Sequence, residues 1–289
     1  MIYLLLSIGA STLIFVVFKL FARFQVNTFQ AIVVNYLVAC LSGLIAYGNP
    51  ISPEVIAGKA WFIGCLVLGV LFIAVFNLMA LTTQRSGLSV VSVATKMSVV
   101  VPVLFGILYY KEALSGWQIL GILLALVAVY LASARQKSTL QIDKKYLWLP
   151  VLVFLGSGII DTSIKFLEGA FVSSTDVPIF SATIFACAAL CGILSFGVQA
   201  VRGQFHFAWK SVIGGIALGI PNYFSIYYLV QALRSSPFAS STLFTINNVG
   251  IVMLSTLLGI AFFKERLLRK NWIGIVLAIL SIILISLPL

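Results

Sequence analysis

Long apolar runs separated by short polar breaks fill this chain from end to end. The runs cover residues 2–21, 28–47, 61–82, 87–110 and 115–133, then 146–167, 177–200, 211–233, 238–263 and 271–287. Each is close to the roughly 20 residues needed to cross the hydrocarbon core of a bilayer as a helix. Inside lipid an unpaired backbone N–H or C=O has no water to turn to, so a run of this kind is predicted to be helical. The pattern therefore predicts an all-α polytopic membrane protein of ten transmembrane helices. The connections are short, so consecutive helices should be neighbours.

The polar stretch 134–145 divides the chain into two stretches, 1–133 and 146–289, that resemble each other. Phe62-Ile63-Gly64 with Leu68-Gly69 recurs as Val212-Ile213-Gly214 with Leu218-Gly219. Tyr110-Lys111-Glu112-Ala113-Leu114, followed by Gly121-Ile122, recurs as Phe263-Lys264-Glu265-Arg266-Leu267, followed by Gly274-Ile275. Ser11 and Lys19 match Ser157 and Lys165. A repeat of five spans, an odd number, places its second copy upside down in the membrane. The expected fold is two inverted five-helix repeats around a central cavity, joined by a cytoplasmic linker, as in many secondary carriers.

Composition agrees with a lipid-covered exterior. Hydrophobic residues make up 62% of the chain and charged residues 9%, with mean hydropathy +1.16. The net charge of +11 is not gathered into a nucleic-acid-binding patch. Lys19, Arg23, Arg85, Arg135, Lys137, Lys144, Lys145, Arg202, Lys210, Lys264, Arg266, Arg269 and Lys270 fall in the odd-numbered connections. The even-numbered ones hold only Lys59, Lys111, Lys165 and Arg234. The positive-inside rule then puts the odd connections in the cytoplasm and both termini outside. The apolar start at Met1 is expected to be a first spanning helix, not a removed leader, and a bacterial or archaeal plasma membrane is the simplest setting. Cys40, Cys65, Cys187 and Cys191 lie within apolar runs and are read as packing residues, with no metal site. The chain is expected to act as a monomer or weak homodimer, without cofactor or nucleic acid.

The duplicated junction, with Phe or Tyr, then Glu, then Leu, and a Gly nine residues after the Glu, resembles that of the EamA-type drug/metabolite transporters. Ala80-Leu81 and Ser86 to Ser92 leading into Pro102 match that family's third and fourth helices. The resemblance covers essentially the whole chain. It implies a ten-helix basket whose cavity is lined mainly by helices 1, 3, 4, 6, 8 and 9. Substrates across such a family range over amino acids, sugars, nucleotide derivatives and other metabolites, so the likeness does not choose one.

Ionisable and amide groups inside the spans point to the site, because a charge at a helix centre costs about 2.5–3.5 kcal/mol on insertion scales. Lys96 lies near mid-membrane in helix 4, with Ser89 and Ser92 on the same face and Pro102 beyond. It reads as a cation for an anionic group of a substrate, or as a structural partner of Asp161. Helix 9 offers Ser241, Thr245 and Asn248 on one face with Asn247 beside them; helix packing is the competing reading. Helix 8 aligns Tyr223, Tyr227 and Gln231, with Asn77 of helix 3 the repeat equivalent of Tyr227. Gly215 and Gly219 form a GxxxG pair, read as close packing. Helix 6 carries Ser157, Asp161, Lys165 and Glu168, and Asp161 with Lys165 at i,i+4 can form a local pair. The Lys-Glu pairs of the two junctions are read as fixing those junctions. The candidate substrate-binding set is Lys96, Ser92, Asn77, Ser157, Asp161, Tyr223, Tyr227, Thr245, Asn247 and Asn248.

No GxxxxGK[ST], GxSxG or HExxH occurs, so ATP hydrolysis and the common hydrolytic sites have no motif here. A secondary carrier of a small polar metabolite bearing a carboxylate or phosphate is the favoured class, working by alternating access. Carriers of neutral sugars or hydrophobic drugs, an intramembrane enzyme and a non-transporting sensor or accessory subunit are the alternatives.

Overall fold

Local signals set the helix ends. In the computed structural model, which describes residues 1–48, 52–86, 94–133, 148–202, 208–263 and 268–285, α1 (Ile2–Phe24) stops at Gln25, held left-handed at φ 52°. Asn27 then starts α2 (Thr28–Tyr47), its side chain accepting the Gln30 N–H. A short α3 (Pro53–Ala57) leads to α4 (Phe62–Ser86) and α5 (Val100–Leu108). α6 (Gly116–Ser133) opens with a reciprocal cap: Gln118 N–H donates to Ser115 Oγ, and Ser115 N–H donates to Gln118 Oε1. There follow α7 (Trp148–Phe171), a 3₁₀ turn (Ser174–Asp176), α8 (Val177–Val201), α9 (Trp209–Ser235), α10 (Ser240–Phe263) and α11 (Arg269–Ile285).

Among the described residues, seven stretches are long and apolar enough to cross a bilayer: Ile2–Phe21, Thr28–Tyr47, Phe62–Met79, Trp148–Phe171, Ser174–Val201, Trp209–Ser235 and Ser240–Gly259. Ala94–Leu108 and Gly116–Leu131 are shorter apolar helices. Ile45, Leu194, Trp209 and Phe262 stand exposed on this bundle, a surface that lipid and not water must cover. The chain is a polytopic, helical membrane protein.

One predicted helix is interrupted. The run 87–110 reads as continuous in sequence, but helical residues Ala94–Met97 give way to a turn at Ser98–Val99 before α5 begins. Pro102 has no N–H to return to the Ser98 carbonyl four residues earlier. That carbonyl instead receives the Val101 N–H at 2.9 Å, a tighter turn. Lys96 therefore sits on the last turn before the break.

The helices close a circuit. α1 packs on α9, α9 on α2, α2 on α8, α8 on α4, α4 on α7, α7 on α5, α5 on α10, and α10 returns to α1. α6 and α11 pair with each other, and both touch α10. Glycines allow the closest approaches. A Cβ on Gly219 would stand 2.7 Å from the Asn35 carbonyl oxygen of α2, and one on Gly215 would stand 2.8 Å from that of Ala31. The GxxxG pair is thus the seam between α9 and α2. The same seam buries an amide pair, Asn222 Nδ2 donating to Asn35 Oδ1 at 3.0 Å.

Candidate functional site

Lys96 is buried, 8% exposed, in the short helical stretch Ala94–Met97. Its ammonium lies 5.0 Å from the centre of the Phe15 ring on α1, a cation–π contact that offsets part of the cost of burial. Asp161 on α7 is close enough to interact with it electrostatically. No direct ion pair joins the two. α7 is held to this stretch by Gly158, whose Cβ would lie 2.5 Å from Val101 and 3.0 Å from the Ser98 carbonyl oxygen. Asp161 follows Gly158 by one turn, so the helix face that carries it is turned toward the interrupted helix. Ser157, one turn before Asp161, is buried on that face.

α10 carries three further candidates. Asn247, Asn248 and Thr245 are buried. Asn248 Nδ2 donates to the Phe244 carbonyl and Thr245 Oγ1 to that of Ser241, so both are spent on their own helix. Asn247 Oδ1 is buried and has no hydrogen-bond partner in the protein. An acceptor of this kind is expensive to leave empty in a low-dielectric interior.

α9 and α4 carry further candidates. Tyr223 is fully buried against the seam, its ring where a Cβ on Gly43 of α2 would sit, and its hydroxyl has no partner in the protein. Tyr227 stacks on it with centroids 5.8 Å apart, and the Tyr227 hydroxyl accepts from Gln231 Nε2. Asn77 is exposed and donates to the Ile73 carbonyl of its own helix at 2.7 Å. It lines an open cleft of about 580 Å³ with Val26, Asn27, Thr28, Phe29, Leu81 and Gln199, where α1 turns into α2. Ser89 and Ser92 lie outside the described residues.

The local pair open to Asp161 and Lys165 does not form. Lys165 turns away to Glu168, at 3.1 Å, and lies over the Tyr110 ring. Glu168, 4% exposed, also takes Arg234 Nε of α9 at 3.3 Å, while Arg234 donates to the Val172 carbonyl. Asp161 is thereby left without a salt bridge, within electrostatic reach of Lys96.

The same end of the bundle holds two further ties. Asp176 accepts from Lys59 Nζ at 2.9 Å and from Trp61 Nε1 at 3.5 Å. Glu112 accepts the backbone N–H and the hydroxyl of both Ser240 and Ser241. Sequence reading placed Glu112 in a junction but not on α10; the adjacent hydroxyls at a helix start were the available signal. Phe15 gave none, being one apolar residue in an apolar run.

Among the described residues no cluster of metal-binding side chains occurs. The cysteines are free thiols.

Comparison with known proteins adds the lineage. The model of the EamA-like transporter family matches residues 1–134. A Haemophilus influenzae protein described as uncharacterized is 31% identical over 219 residues, covering 75% of this chain and 72% of its own length. A solved crystal structure superposes with a TM-score of 0.76 over 99% of this chain and 95% of its own, at 14% identity, a likeness of fold.

Proposed function

The chain belongs to the EamA-like transporter family, and from that premise we propose that it is a secondary carrier, not an enzyme, for a small polar metabolite bearing a carboxylate or phosphate. The observation that carries this reading is Lys96, a buried cation within an apolar stretch, with no carboxylate bonded to it directly. A charge kept at that cost inside a membrane marks a solute path by default. Phosphate or carboxylate supplies the counter-charge when substrate arrives.

The architecture of the proposal is ten spans in two inverted repeats, 1–133 and 146–289. Helix pairing supports it. Exchanging the halves turns α1 on α9 into α7 on α4, α2 on α9 into α8 on α4, and α1 on α10 into α7 on α5, and all six pairings occur. The glycines agree. A Cβ on Gly64 would meet Leu167 of α7, and one on its counterpart Gly214 would meet Phe21 of α1. Leu167 and Phe21 each stand two residues after the matched lysines, Lys165 and Lys19.

In this reading the substrate binds beside the Ser98–Val99 break, and the halves rock to expose the site to one side and then the other. The ties of Glu112, Glu168 and Asp176 close one end, and the cleft lined by Asn77 opens at the other. With the termini outside a bacterial plasma membrane, the open end is the cytoplasmic one.

The test is uptake and counterflow in proteoliposomes, with substrates first found by thermal-shift screening of the purified chain against metabolites. Lys96→Ala should remove transport while the protein still purifies as a folded species, and Lys96→Arg should shift apparent affinity. Transport by the alanine variant at the wild-type rate excludes the site.

A further inference from the structure

Lys96 is not the only uncommitted charge at the site. Asp161 is within electrostatic reach of it, on a helix that Gly158 packs against Ser98 and Val101, and no direct ion pair links the two. Lys165, the cation nearest to Asp161 along its own helix, is held instead by Glu168, itself shared with Arg234. The site therefore offers one ammonium and one carboxylate, on different helices and without a direct ion pair between them.

Charge complementarity then separates substrate classes. A simple anion satisfies Lys96 but adds a second negative charge beside Asp161, and like charges in a water-poor site repel strongly. A neutral solute leaves both charges facing each other without a bridge. An amine satisfies Asp161 and is repelled by Lys96. A molecule carrying a carboxylate and an ammonium a few bonds apart brings both counter-charges at once.

Resting on the reading of Lys96 as the anion contact, we infer that Asp161 is the specificity-determining residue of this carrier, selecting zwitterions with a carboxylate and a primary ammonium over plain organic anions. Lys96 holds the carboxylate and Asp161 the ammonium. The carboxylate of Asp161 thus works both ways, attracting the right substrate and repelling the substrate that lacks an amine.

The experiment uses the full chain, purified and reconstituted, and compares each proteinogenic amino acid with its des-amino carboxylic acid and its decarboxylated amine, by thermal stabilisation and by counterflow. One or more amino acids should bind, with their des-amino acids and amines weaker by about thirty-fold or more, the scale of an unpaired charge. Asp161→Asn should lose affinity for the amino acid by a similar factor and gain binding of the des-amino acid, whereas Asp161→Glu should keep the wild-type order. Lys96→Gln should move selectivity the other way, toward the amine. If the des-amino acid binds wild type as well as the amino acid does, and Asp161→Asn changes neither, Asp161 does not select and the inference fails while the Lys96 reading stands. If neither amino acids nor carboxylic acids bind, and Lys96→Gln behaves as wild type toward the ligand found by screening, the Lys96 reading fails as well. Where Asp161→Asn does not purify as a folded species, the Asp161→Glu and Lys96→Gln comparisons decide alone, a reversed order in Asp161→Glu overturning the inference.

Discussion

The Glu112 carboxylate caps the first turn of α10, accepting the Ser241 hydroxyl at 2.6 Å and the Ser241 backbone N–H at 3.2 Å. Gly106 makes this possible, because a Cβ there would fall 2.6 Å from Glu112 Oε2. Lys111, just before it, adopts φ 51°, the left-handed turn that aims the carboxylate back at α10. Glu112 thus joins the start of one half's helix to the other half's junction by meeting the N–H groups that a helix start leaves free.

Removing that cap should be measurable. Glu112→Gln is expected to destabilise the folded protein by about 1–2 kcal/mol, seen as a lower melting temperature in detergent. Ser241→Ala should cost less. The double variant should fall short of the sum, since both changes remove one interaction. Additive losses would mean that the two residues do not act together.

The tie of Glu168 to Lys165 and Arg234 makes a second prediction. Glu168→Gln leaves two cations facing each other at a mostly buried site, for a loss of about 3 kcal/mol. Arg234→Gln removes one of those cations as well, so adding it to Glu168→Gln should recover part of the loss. A double variant no better than Glu168→Gln alone would argue against charge as the cause. In the transport reading, cysteines placed at this end should also react faster with a membrane-impermeant maleimide once Glu168 is neutralised.

Helix contact at Gly219 is tight enough to test by size. Gly219→Val drives side-chain atoms toward the Asn35 carbonyl, and overpacking of this kind costs about 1–3 kcal/mol. Gly9 on α1 has nothing within 4 Å of a built Cβ. Gly9→Ala should be neutral or stabilising by about 0.5–1 kcal/mol, through reduced backbone freedom in a helix. Equal melting temperatures for the two variants would contradict the close seam.

The buried amide pair on that seam gives a fourth expectation. A double-mutant cycle of Asn35→Ala and Asn222→Ala should return a coupling of about 0.6 kcal/mol and not above about 1.7, the range for hydrogen bonds between membrane helices. A coupling near zero would mean that water or backbone replaces the bond without loss.

The spans were legible because each is written in consecutive residues: twenty apolar side chains in a row specify a helix in lipid whatever lies beside them. The duplicated Lys-Glu junctions were legible for the same reason. Pro102 announced a disturbance, but its form, a turn at Ser98–Val99 in place of a kink, depends on which donor takes the released carbonyl. Tyr223 looked like a cavity wall from its spacing with Tyr227. Its side chain lies instead on Gly43, a contact between distant helices that spacing along one helix cannot encode.

Sequence by itself determined that this is a membrane-embedded helical protein with a lysine inside an apolar run and a Lys-Glu junction that occurs twice, since hydropathy, charge and repetition are properties of the chain read in order. Only the tertiary structure decided the partners: Lys165 with Glu168, Glu112 with α10, Lys96 over Phe15, and Asp161 within electrostatic reach of Lys96. A charge inside lipid must find compensation somewhere, but which of several opposite charges it finds depends on how helices far apart in sequence pack side by side.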